Sequence, residues 1–390
     1  MIFSVSAIST WRFFLIPSTS CFISIQKFSI NSRRLNIIKE VNSKYDNKII
    51  EYFGGFKREE RWLKSAEKLV DGWGVLRWPR HSSGRRNYAL IGVLCDLERA
   101  LLDYANNFIH NKLRLDANIK NIELFHVEDI LPITTTRACG VQPTQTGQHP
   151  LQYLVYNATD VYNSQNPLIS PKIFVFLVRR KWESQICIIK GRIFQEDQLP
   201  TYILAESTCF RPEISNGHLE CGLYRVHQFK KIEIFVICTE KQSFSELDRI
   251  VQIQKDLFSS LGIHCRLLDM CIDELGVSAS KKFDIEAWLP GRREWGELSS
   301  ASNCTDYQAQ RLELFYSSDD SSLKHVHTCN GTGIASSRTI IAILESFQSP
   351  KRHGFQLPEL IKKMLPAVRS HALKCGKAPS IFYCFDDINC

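Results

Sequence analysis

TYILAESTCFRPEISNGHLECGLYRVHQFKKIEIFVIC, residues 201–238, points to the class of fold. Both ends are apolar, β-branched runs of strand length, and the polar segment between them has no helical period. Strands in succession without a crossover helix argue for an antiparallel sheet. The same texture extends outward. PKIFVFLV (171–178) and QICIIKGRIF (185–194) precede the stretch, and HCRLLDM (264–270) and KKFDIEAWL (281–289) follow it. Residues 244–261 read as a helix, with Ser243-x-x-Glu246 as a capping box and Gly262 as the stop. In ALIGVLCDLERALLDYANNFIHNKL (89–113), Leu90, Val93, Leu94, Leu97, Leu101, Ala105, Phe108 and Ile109 share one helical face. A last helix is expected from about Gly333 through SSRTIIAILESF. The expected class is α+β, a large antiparallel sheet flanked by helices.

The chain has 390 residues, 44% of them hydrophobic and 23% charged, enough apolar content for a full core. Its net charge of +8 permits contact with nucleic acid without demanding it. The 14 cysteines form no Cys-x-x-Cys pair, which fits a reducing compartment. The first acidic residue is Glu40. Before it, Arg12, Lys27, Arg33, Arg34 and Lys39 stand among Ser, Ile and Phe, the composition of a mitochondrial transit peptide. No later stretch has the apolar length that spans a bilayer, so no membrane insertion is expected. The expected domains are a transit peptide at 1–35, a short helical extension and linker at 36–84, and one large domain at 85–390. EERWLKSAEKLVDGW (59–73) supplies the helix, and RWPRHSSGRR (77–86) the basic linker.

Three stretches carry chemistry. Arg211 and Glu213 alternate onto one face at the end of a strand, where a guanidinium can hold a phosphate and a carboxylate can meet an adenine amino group. A structural ion pair is the alternative. In NGTGIASSRTIIAILE (330–345), two glycines, a helix start and Arg338 would make an anion site, or merely a tight turn. Glu297, Ser300 and Asn303 offer oxygen and amide groups for a divalent ion or a small polar substrate, or else bond a turn. His325-x-His327 reads more simply as strand alternation than as a metal site.

FDIEAWLPGRREWGELSSASNCTDYQAQRL (283–312) and NGTGIASSRTIIAILE resemble the late catalytic motifs of the seryl-tRNA synthetases, class II aminoacyl-tRNA synthetases. CFRPE…GLYRVHQFKKIE resembles their second motif, DLERALLDYANNFI (96–109) the helix opening their catalytic domain, and TGQHP (146–150) the loop after their first motif. The resemblance spans roughly 85–365 and implies the same antiparallel fold. It implies that Arg211 binds the α-phosphate and the seryl carboxylate. Glu213 would face adenine, Glu233 would reach serine, and Glu297 with Ser300 would hold magnesium. Asn330 would lie beside the seryl pocket, near Thr332, and Arg338 would grip the γ-phosphate.

Several positions depart from that pattern. Where the family carries the acid that receives the serine ammonium, this chain has Arg180, Lys181 and Trp182. Loss of a buried charge partner costs on the order of 3–5 kcal/mol. The second-motif loop SNGHLECG carries Glu220 and Cys221 where an arginine is expected, Thr332 replaces a serine, and Ser337 replaces a glycine. The stretch before residue 85 is too short for the family's coiled-coil arm, and NIELFHVEDIL (121–131) lacks the proline of the first motif. This pattern resembles the seryl-tRNA synthetase-like proteins of insect mitochondria. It implies a catalytically inactive protein of the mitochondrial matrix. Such a chain would pair with the genuine mitochondrial seryl-tRNA synthetase as a heterodimer, with mitochondrial tRNA or another nucleic acid as a further partner. No cofactor would be required, although residual ATP and magnesium binding at Glu297 and Ser300 is compatible with the retained residues. Two other readings stand beside it: a divergent active mitochondrial serine-tRNA ligase, and a regulatory nucleic-acid binder acting through Arg77–Arg86.

Overall fold

The computed structural model describes residues 46–79, 86–126, 130–132, 155–157, 174–177, 188–211, 222–318, 322–349, 354–355 and 357–363. All of them belong to one compact unit, Ile37–Cys390. Its centre is an eight-stranded sheet: β1 (Lys48–Gly54), β2 (Asn121–His126), β3 (Thr201–Phe210), β4 (Gln228–Cys238), β5 (His264–Asp269), β6 (Lys281–Leu289), β7 (Glu294–Asn303) and β8 (His327–Ala335). The order across the sheet is β1-β5-β6-β7-β8-β4-β3-β2. Every neighbouring pair is antiparallel except β2 with β3, which is parallel. The antiparallel α+β class read from the sequence is the observed one.

Three helices cover one face: α1 (Val93–Arg114), α2 (Ser243–Ser260) and α3 (Ser336–Ser346). Their apolar stripes meet the strand residues that alternate toward them. Leu97, Leu101 and Ile109 of α1, Ile250 and Leu257 of α2, and Ile340, Ile341 and Leu344 of α3 pack with Ile232, Ile234 and Val236 of β4. The residues between, Phe235 and Ile237, face the other way into a second cluster with Phe194, Ile203, Leu312 and Leu314. Because β4 is apolar on both sides, it reads as a continuous run rather than as alternation.

Gly262, at φ 70°, ends α2 as expected. The capping box does not lie at Ser243. Its hydroxyl donates to Glu240 O at 3.1 Å, and Glu246 instead accepts from Tyr202 and from Arg249 Nη1 at 2.7 Å. The reciprocal box forms one turn earlier, between Thr239 and Gln242.

Among the described residues ahead of residue 85, 46–79, little is helical. Lys48–Gly54 pairs with β5 as an edge strand, and within EERWLKSAEKLVDGW only Ala66–Leu69 is helical. Gly72 and Gly74, at φ 79° and 73°, block propagation beyond that turn. The preceding residues find tertiary partners instead. Arg58 Nη1 donates to Ser346 O and Gln348 O, and Gln348 Nε2 donates to Lys64 O at 2.6 Å. Among the described residues no helix is long and apolar enough to cross a membrane.

Candidate active site

The face of the sheet opposite the three helices carries a cavity of about 210 Å³. Strands β4, β6, β7 and β8 provide its floor, and the segment containing Glu274 and Ser278 provides one wall. Of the residues singled out in the sequence, Arg211, Glu233, Glu297, Ser300, Asn330, Thr332 and Arg338 all line it. They come from four separate stretches, so their convergence is a product of the fold.

Arg338 sits in the first turn of α3 and is buried. Its Nη1 donates to Glu297 O and Glu297 Oε2, both at 3.0 Å, and its Nε donates to Tyr224 O at 3.4 Å. The guanidinium lies 4.5 Å from the centre of the Tyr224 ring. Tyr224 Oη in turn accepts from Glu297 N at 2.8 Å. Arginine, carboxylate and ring are therefore fixed as one unit. Burial alone would raise the Glu297 carboxyl, but Arg338, Lys282 and Arg211 outweigh it and hold it down to about 2. The group is an anion throughout the neutral range, with its side chain 38% exposed to the pocket.

A second knot lies at the other end. Lys231 Nζ pairs with Glu233 Oε2 at 2.5 Å, and both side chains are buried. Lys231 Nζ also donates to Thr332 Oγ1 at 3.3 Å, and Asn330 Nδ2 donates to Glu233 Oε1 at 3.5 Å. Arg211 lies over the Phe229 ring at 5.1 Å, with its backbone tied to His227 on both sides. Lys282 pairs with Asp284 at 2.7 Å just behind the pocket wall. Burial, then the neighbouring Glu297, push the Asp284 carboxyl up to about 7.

The glycines of NGTGIA do not form an anion-binding turn. Both lie inside β8 and are required by packing. A Cβ on Gly331 would stand 2.4 Å from Ile250 Cγ2, and one on Gly333 would stand 2.5 Å from Ile109 Cδ1. They let α1 and α2 approach the strand. Asn303 is not a pocket group either. It is fully buried, and its Oδ1 accepts from Thr305 N at 2.8 Å. Ser337 is buried in the first turn of α3. His325 stacks on Phe315, and among the described residues no three His, Cys, Asp or Glu side chains gather as metal ligands. Glu213, Glu220, Cys221, Arg180, Lys181 and Trp182 lie outside the described residues.

Lys231, Lys282, Tyr224, Phe229 and Glu274 were not assigned roles from the sequence. Lys231 had a signal, since it alternates with Glu233 along one strand face. Tyr224 lies in the stretch that resembles the second motif, but nothing local marked its role, because its contacts join residues 73 and 114 positions away.

A family profile described as the tRNA synthetase class II core domain (G, H, P, S and T) matches residues 178–347. The serine–tRNA ligase of Treponema denticola is 47% identical over 172 residues, 43% of this chain and 40% of that protein. The mitochondrial serine–tRNA ligase of Bos taurus is 35% identical over 291 residues, 73% of this chain and 51% of that protein. The crystal structure of the cytoplasmic serine–tRNA ligase of Naegleria fowleri in complex with AMP aligns with a TM-score of 0.70 at 27% identity. The alignment covers 85% of this chain and 73% of that one. The matched stretch thus spans about half or less of the curated relatives' length. These findings overturn the expectation of a catalytically inactive chain. The proteins it matches across the pocket are named as ligases, and the substitutions at 180–182 and 220–221 fall outside the described residues.

Proposed function

Because the chain belongs to the seryl-tRNA synthetase family, we propose that it is a serine–tRNA ligase whose pocket activates serine with ATP. The observation that carries this reading is the convergence of Arg211, Glu233, Glu297, Ser300, Asn330, Thr332 and Arg338 on one cavity. The cavity is divided electrostatically. Arg211 and Arg338 present fork-shaped cations to phosphate oxygens. Glu297 and Ser300 are hard oxygen donors of the kind magnesium takes alongside nucleotide phosphates. Glu233, Asn330 and Thr332 form a small polar end suited to a hydroxyl-bearing amino acid.

In the proposed first step a serine carboxylate oxygen attacks the α-phosphorus, and pyrophosphate leaves. Arg211 and Arg338 stabilise charge at the two ends of the phosphate chain, the positioned-electrostatics mode of phosphoryl chemistry. Lys231 pairs with Glu233 and holds it in place as a hydrogen-bond acceptor for the serine hydroxyl. In the second step a tRNA terminal hydroxyl displaces AMP from the seryl adenylate.

A mitochondrial site of action is part of the proposal. It is supported by the acid-free, basic residues 1–39 and by mammalian relatives named as mitochondrial. Dimerisation is proposed through the edge strand β2, where Leu124 is 61% exposed, with a second synthetase subunit as the partner. The deciding experiment is serine-dependent exchange of pyrophosphate into ATP by the purified chain. Exchange that is abolished in Glu297→Ala supports the proposal, and exchange no greater with serine than without it refutes it.

A further inference from the structure

Residues 58–67, upstream of the family-matched core, reach into the site through a half-buried hydrogen-bonded chain. Glu67 Oε1 accepts from Leu223 N at 3.1 Å and from Arg292 Nη2 at 2.6 Å. Leu223 is followed by Tyr224, whose carbonyl and ring hold Arg338 and whose hydroxyl holds the Glu297 backbone. Arg292 lies 6.0 Å from the same ring and donates through Nε to Glu345 Oε1 at 3.3 Å. Glu345 is fully buried and also accepts from Ala66 N, Gly291 N and Arg292 N, at 3.0, 2.8 and 3.1 Å. It stands seven residues after Arg338 on the same helix, two turns along the same face. One carboxylate on the upstream segment is thus linked to both ends of the element that carries the pocket arginine.

The packing leaves little slack. Gly222 adopts φ +68°, and a Cβ there would stand 2.2 Å from Glu67 Oε1. A Cβ on Gly291 would stand 1.9 Å from Lys64 O. The backbone turns at 222 and 291 are therefore pressed directly against the 64–67 segment. A guanidinium between two carboxylates, with its fork engaged on both sides, has little freedom to rotate.

We infer that Glu67 is a positioning residue: it fixes the Leu223–Tyr224 turn and, through that turn and Arg292, sets where Arg338 points in the pocket. The inference rests on the proposed nucleotide-binding role of Arg338. Without Glu67 the peptide N–H of Leu223 and the Arg292 guanidinium each lose a partner, the Tyr224 ring is freed to move, and Arg338 follows it. Gln at this position keeps an acceptor for Leu223 N but removes the charge opposite Arg292.

The test has two arms on the full chain. The first is a double-mutant cycle in folding stability for Glu67→Ala and Arg338→Ala, which do not touch each other. The folding constant of the double variant is expected to differ at least threefold from the product of the single effects. Strict multiplicativity overturns the inference, whether or not the chain binds ATP. The second arm is steady-state pyrophosphate exchange. Glu67→Ala is expected to raise KM for ATP about tenfold with little change in KM for serine, and Glu67→Gln to recover most of the loss. Equal effects on both substrates, or no rescue by Gln, would mean a structural role only and would also overturn it. An unmodified chain that shows no exchange at all defeats the ligase proposal instead and leaves the first arm to decide this one.

Discussion

Asp284→Asn should change the pH dependence of stability in a way set by the cross-strand register. Asp284 stands opposite Ser300, and two residues on Glu286 stands opposite Glu297, so three carboxylates share one face of β6 and β7. Each is paired with a cation: Lys282 at 2.7 Å, Arg266 at 2.5 Å and Arg338 at 3.0 Å respectively. Asp284 is the most deeply buried of them, and its Oδ1 has no hydrogen-bond partner among the described residues. Burial first, then Glu297, raise its carboxyl from 3.8 to about 7. A group raised in the folded state binds its proton more tightly there than when unfolded. Its contribution therefore favours folding at low pH and is lost as pH climbs from about 4 through about 7. At about 1.36 kcal/mol per pH unit, the full loss is on the order of 4 kcal/mol. Asparagine is neutral at every pH and nearly the same shape, so it does not pay this penalty. Urea unfolding of both proteins at intervals from pH 5 to pH 9 should show the variant gaining on the wild type as pH rises, with a plateau above about 7.5. The comparison cancels Glu345, which is pushed up to about 7 by burial and titrates in both proteins. A stability difference that is flat across this range would refute the reasoning, because it would mean that Asp284 is ionised throughout.

Three further outcomes follow from the same geometry. Gly331→Ala should cost on the order of 1–3 kcal/mol in denaturant unfolding, because the new methyl displaces Ile250 and Gln254, whose Nε2 bridges Ser300 O and Thr332 O at 2.9 Å. Lys231→Met removes the cation paired with Glu233, whose side chain is 1% exposed, and should cost on the order of 3–5 kcal/mol in denaturant unfolding. A loss below about 1 kcal/mol would argue against an ion pair that matters to the fold. Tyr202→Phe removes the donor to the buried Glu246 carboxylate and should lower stability by about 1–3 kcal/mol without altering KM for ATP, since neither residue lines the cavity.

What the sequence revealed, and what it hid, divides along the range of the interactions. The α+β class was readable because strand runs such as Thr201–Phe210 and Gln228–Cys238 follow each other with no helical period in the sequence between, and that order admits few topologies. The seven pocket residues were readable through motif resemblance, although alternation alone linked only near neighbours such as Arg211 with Glu213. Lys48–Gly54 was missed because an edge strand gains its pairing from a partner some two hundred positions away, here His264–Asp269. Local periodicity carries no trace of such a partner. Gly331 and Gly333 were misread for a related reason. A glycine that lets a ligand approach the backbone and a glycine that lets a helix approach it are identical in sequence. The distinction lies in Ile250 and Ile109, contributed by helices far along the chain. With those glycines assigned to packing, no backbone cradle remains in β8 to hold phosphate. Under the proposed function the phosphates would be met by Arg211 and Arg338, and Arg338 is held by Tyr224, to which the motif resemblance assigned no role. On the inference drawn above, the aim of Arg338 then depends on how tightly one aromatic ring is held. That in turn depends on the upstream segment that sequence periodicity assigned to a helix.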